Sequence, residues 1–181
     1  LEASSCPTLV HPNADGAGYY RFALDDAGWQ GLIDGVTDLS AAEALVLADS
    51  LDAAFRAGAA SAEQYVECIA ALVNYGGWDV GDSGTSQLEA ITNIVDVDQH
   101  EQVEAAFRAL LGPVFANLGE STDAGSALLR QRLLRFMIVM AKDQDMRAPL
   151  AEQAAARIGL NGEPDPTAAP ESELETIFSI G

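Results

Sequence analysis

Apolar positions recur at three- and four-residue spacing from Trp29 almost to the end of the chain. Trp29, Leu32, Ile33 and Val36 mark a first helix, since such positions share one helical face. Leu47, Leu51, Ala54 and Phe55 mark a second, which Ser40 and Glu43 open as a capping box and Gly58 closes. Ser61 and Gln64 repeat that box for a third, facing inward with Tyr65, Ile69, Leu72 and Val73 and stopped by Gly76-Gly77. The Gly- and Asp-rich stretch 76–84 reads as a loop, and Leu88, Ile91 and Val95 as a fourth helix. A fifth runs from Val103 to Leu118, with Pro113 expected to kink or split it. The sixth, from Leu128 to Met140, is apolar nearly all round and predicts a central helix. A seventh carries Leu150, Ala154 and Ile158. A Pro-rich loop from Asn161 to Pro170 precedes an eighth element, Glu171 to Ile180.

The first 24 residues follow another rule. Thr8-Leu9-Val10 and Tyr19 to Leu24 have strand character, and Asn13-Ala14-Asp15-Gly16 is turn chemistry. They predict a short β hairpin or strand segment, and a lone hairpin needs a sheet to join. Residues 1–24 are therefore expected to be a β segment at a domain junction, and 25–181 a helical domain. Short loops make successive helices antiparallel, so the expected class is all-α: a HEAT-like α-α superhelix of antiparallel helix pairs. Leu1 is not a natural start, and the last helix lacks a polar cap. The chain thus reads as an excerpt, truncated at its C-terminal end.

Charge narrows the partners. The chain has 181 residues, 28 Asp and Glu against 9 Lys and Arg, and a formal net charge of −19. A phosphate backbone or an anionic membrane surface is repelled by that field, whereas a cationic peptide is attracted. The longest apolar run, Phe136 to Ala141, is far too short to span a bilayer. The expectation is a soluble chain, cytoplasmic ahead of periplasmic or secreted, with no nucleic-acid or membrane partner. Cys6 and Cys68 follow no metal spacing, and their pairing is left open.

Candidate chemistry is sparse. His100-Glu101-Gln102-Val103-Glu104 approaches the zinc motif H-E-x-x-H but puts Glu104 where the second imidazole belongs, so a solvated helix start is the better account. Asp96-Val97-Asp98 fails as a calcium loop, with Glu101 in place of the required glycine. Gly81-Asp82-Ser83-Gly84 has the sequence of a serine-nucleophile loop, yet a helix-capping loop fits its helical surroundings better. Arg130, Arg132 and Arg135 could clamp a peptide carboxylate or pair with neighbouring acids. Tyr19, Tyr20 and Arg21 could stack on a ligand or pack at a domain seam. No catalytic, metal or cofactor-binding residue is assigned.

Gly18-Tyr19-Tyr20-Arg21-Phe22, followed by Trp29, Leu39-Ser40 and Leu47-Ala48-Asp49-Ser50-Leu51, resembles the start of the C-terminal helical domain of zinc aminopeptidases of the aminopeptidase N and puromycin-sensitive type. Arg147 to Leu160 is similar as well. The resemblance implies a non-catalytic domain whose partners are the catalytic domain of the same polypeptide and a peptide substrate. Zinc would sit in the parent enzyme, because the family's H-E-x-x-H, distant Glu and G-x-M-E-N loop have no counterpart here. Gly18, Tyr19, Tyr20, Arg21 and Trp29 would then be structural residues of the junction. The residue pattern alone also admits a stand-alone HEAT-like binding module.

Overall fold

The computed structural model describes residues 9–119, 123–160, 162–169, 171 and 174–178. Every regular element among them is helical: α1 (Asp26–Asp34), α2 (Ala41–Arg56), α3 (Ala62–Val73), α4 (Trp78–Thr92), α5 (His100–Leu118), α6 (Ala124–Val139), α7 (Gln144–Ile158) and α8 (Leu174–Phe178).

Local chemistry sets most of the boundaries. Asp25 opens α1 by accepting from the Gly28 N–H. In both predicted capping boxes the serine accepts from the third helical N–H while the Glu43 or Gln64 side chain reaches back to the serine N–H. Asp143 caps α7 through the Met146 N–H, and Gly159 ends that helix in the left-handed region at φ 71°.

Three expectations need correction. No strand forms among the described residues, so the predicted hairpin is absent there; Thr8 lies outside them. Residues 20–24 form no regular element, and the turn before them is closed by an asparagine side chain rather than by a partner strand. Second, residues 78–84 are not a loop, because α4 already begins at Trp78. The glycines that suggested a loop are close-packing positions. A Cβ on Gly84 would lie 2.9 Å from Val73 Cγ2 on α3, and one on Gly81 would lie 2.8 Å from Leu129 Cδ1. Third, of the kink or split expected at Pro113 the split does not occur, since α5 runs through that residue.

The chain forms two compact units. The first comprises Leu1–Asn93 and Glu120–Leu129. Its core is built from Trp29 and Leu32 of α1, Leu47 and Leu51 of α2, Ile69 and Leu72 of α3, and Leu88 of α4, all essentially fully buried. Each such side chain contributes about 1.5–3 kcal/mol of transfer free energy. The second comprises Ile94–Gly119 and Arg130–Gly181. There Phe107 of α5 meets Phe136 of α6 edge-on, with ring centroids 5.2 Å apart, and Leu111, Leu133 and Met137 are buried. Leu128, on the sixth helix, is about half exposed, whereas Leu129, Leu133, Phe136, Met137 and Ile138 are buried.

Candidate functional site

The segment before α1 is the most constructed surface of the first unit. Asn13 is buried, and its side chain grips one residue twice: Oδ1 accepts from the Gly18 N–H at 2.8 Å and Nδ2 donates to the Gly18 carbonyl at 2.7 Å. Such a grip holds a loop closed without a partner strand. Gly18 leaves room for its neighbours: a Cβ there would lie 2.2 Å from the Tyr20 ring and 3.0 Å from Asn13 Oδ1, so a larger residue would displace the tyrosine.

The segment is fastened to α2 by polar contacts. Arg21 donates from Nε and a terminal nitrogen to both oxygens of Asp49, at 2.7 and 2.8 Å. This bidentate geometry raises the Arg21 pKa and holds the Asp49 carboxyl below its ordinary range. Glu43 accepts from the Ser40 and Asp15 backbone N–H groups, at 2.9 and 3.1 Å. Those bonds, that from Ser40 first, lower its pKa. Phe22 stacks on the fully buried Trp29 at 5.6 Å between centroids and meets the His11 ring edge-on at 5.2 Å.

Between this segment and α2 lies a groove of about 690 Å3, lined by Tyr19, Tyr20, Leu45, Val46 and Asp49 among others. Tyr19 is fully exposed and Tyr20 is 55% exposed, its hydroxyl donating to the Pro12 carbonyl at 2.8 Å. The five residues expected to be structural thus divide. Gly18, Arg21 and Trp29 fasten the segment, and the two tyrosines face solvent.

Sequence reasoning missed a second cavity, also of about 690 Å3, inside the second unit. Its walls include His100, Glu101 and Glu104 at the start of α5 and Lys142 to Asp145 at the start of α7. Lys142, the one lysine of the chain, donates to Glu104 at 2.7 Å. It sits at φ 47°, where the chain turns from α6 into α7. Its uniqueness in the sequence was the available signal. A cation in contact with Glu104 opposes metal binding, and no group of three His, Cys, Asp or Glu side chains fit for a metal is gathered among the described residues.

The three arginines of α6 have separate surroundings. The Arg130 guanidinium lies 4.3 Å from the centre of the Phe115 ring, Arg132 is half-buried, and Arg135 pairs with Glu175 at 3.1 Å. Ser83 lies inside α4, in helical backbone. Cys68 is a free, buried thiol that burial pushes up to about 12, so it stays protonated and unreactive at neutral pH. Cys6 lies outside the described residues. No described helix is long and apolar enough to cross a membrane.

A family model, the ERAP1-like C-terminal domain, matches residues 9–181. The chain belongs to that family, and its helical structure is that of a helical domain related to aminopeptidases. No curated protein and no solved structure matches it significantly.

Proposed function

We propose that this chain is the non-catalytic C-terminal helical domain of a zinc-dependent aminopeptidase. It encloses the catalytic domain of the same polypeptide and limits peptide access to it. The observation that carries this reading is the family match over residues 9–181 together with a helical fold. The helix pairs α2–α3 and α3–α4, joined by short loops, suit a HEAT-like stack. Gly18, Arg21 and Trp29 serve as the fastening of the junction segment.

The family resemblance, whose zinc motif has no counterpart in this sequence, places the metal in the parent's catalytic domain and gives this chain the role of enclosure and selection.

The coding sequence of the parent tests the reading. An H-E-x-x-H with a distant Glu elsewhere in the same polypeptide is expected, and a reading frame lacking them overturns it. The purified chain should release no amino acid from a peptide and retain no stoichiometric zinc after dialysis. Retained zinc would count against the assignment.

A further inference from the structure

The turn between α6 and α7 carries an inference that is independent of the aminopeptidase reading. It ends α6 by backbone bonds: the Ala141 N–H donates to the Phe136 carbonyl at 3.0 Å and the Asp143 N–H to the Met137 carbonyl at 2.9 Å. Between them Lys142 takes φ 47°, a left-handed conformation that glycine usually supplies at a helix end, as Gly159 does for α7. A residue with a Cβ is strained there, so backbone geometry does not account for the lysine. Two adjacent residues of the turn are held to α5. Lys142 donates to Glu104 at 2.7 Å, and Arg108 donates to the Ala141 carbonyl. Glu104 and Arg108 stand at i,i+4 on α5 with the glutamate first, the order and spacing at which such side chains pair on one helix face. Here each reaches the turn instead. The same side chains thus admit two exclusive arrangements. In one the turn is docked, with Lys142 left-handed. In the other Glu104 pairs with Arg108, the Ala141 carbonyl loses its donor, and Lys142 is free to return to ordinary backbone.

We propose that Lys142, Glu104 and Arg108 form a charge-operated latch. It docks the turn on α5 while Lys142 holds Glu104, and releases it when Glu104 passes to Arg108. The second unit's cavity of about 690 Å3 is lined by all three latch residues and by the start of α7. Release of the turn therefore changes the opening of that cavity from the α7 side.

Amide hydrogen exchange followed by NMR on the 181-residue chain tests the latch. The readout is the Ala141 and Asp143 N–H groups, with Ile69 and Leu72 of α3 as the reference. Lys142→Met keeps an unbranched side chain but removes the charge, and should speed exchange of the turn by about 2- to 5-fold with α3 unchanged. Arg108→Gln should speed it as well, since the Ala141 carbonyl loses its donor. The double variant decides. In a latch Arg108 has already left Ala141 once residue 142 is neutral, so Arg108→Gln adds nothing to Lys142→Met. Effects that multiply would mean two independent braces and overturn the proposal. So would a turn that exchanges as slowly in Lys142→Met as in wild type. Faster exchange in α3 as well would make the pair a support of the whole fold, which also overturns it.

Discussion

Helical glycines can be stabilised or broken by the same added methyl group, and this chain holds both cases. Gly31 of α1 has nothing within 4 Å of a Cβ, so Gly31→Ala should gain up to about 1 kcal/mol from helix propensity and the stiffer unfolded chain. Gly84 of α4 faces Val73 Cγ2 at 2.9 Å and the Ile69 carbonyl oxygen at 3.3 Å, and that carbonyl is backbone and cannot rotate away. Gly84→Ala should therefore lose about 1–3 kcal/mol despite the better propensity of alanine. Urea midpoints of the two variants check the pair, and shifts of the same sign would refute the packing argument. The difference was not legible in sequence. Gly81 and Gly84 flank an Asp-Ser pair that reads as turn chemistry, and only the approach of Leu129 to the first and of α3 to the second shows that the missing side chains are a packing requirement. Trp29, by contrast, was readable as a core residue from its spacing to Leu32, Ile33 and Val36, and all four are buried.

Helix starts were the most legible elements, because a cap is a local arrangement of side chain and backbone. Ser40 and Ser61 do what their spacing to Glu43 and Gln64 indicates. Replacing either serine by alanine should cost about 1 kcal/mol. Glu43 does more than a box requires, since it also accepts from the Asp15 N–H and so ties the segment before α1 to α2. Its folded pKa is depressed, so its contribution is present above the unfolded carboxylate pKa and is lost as pH falls through the folded value. Wild type should therefore lose more stability than Glu43→Gln when acidified below about pH 4. Comparing the two cancels the general relief of repulsion in so acidic a chain, and parallel pH profiles would remove Glu43 from the account. The hairpin failed at this scale because strand character at Tyr19 to Leu24 is a statement about residues, whereas a strand needs a partner. Asn13, read as a turn residue, satisfies Gly18 by itself.

At the scale of the whole molecule, an apolar face repeated in helix after helix gives no sign of where one core ends and another begins. The division of α6 between two units, after Leu129, falls inside an unbroken apolar pattern and was invisible for that reason. A net charge of −19 makes self-repulsion a general cost of compactness, so moderate sodium chloride should raise the melting temperature. Each kcal/mol of repulsion screened is worth roughly 2–4 °C in a chain of this size. A flat or falling melting curve with salt would show that the acids are spaced widely enough not to feel one another. The solitary lysine has a practical corollary. Lysine-directed acylation of this chain can reach one side chain only, Lys142, which is half exposed. The modification would abolish the cation that faces Glu104, a carboxylate only 16% exposed. Acetyl transfer to that side chain would therefore remove the ion pair of a mostly covered acid at the turn between α6 and α7, and that turn is the one place where a side-chain amine can be labelled.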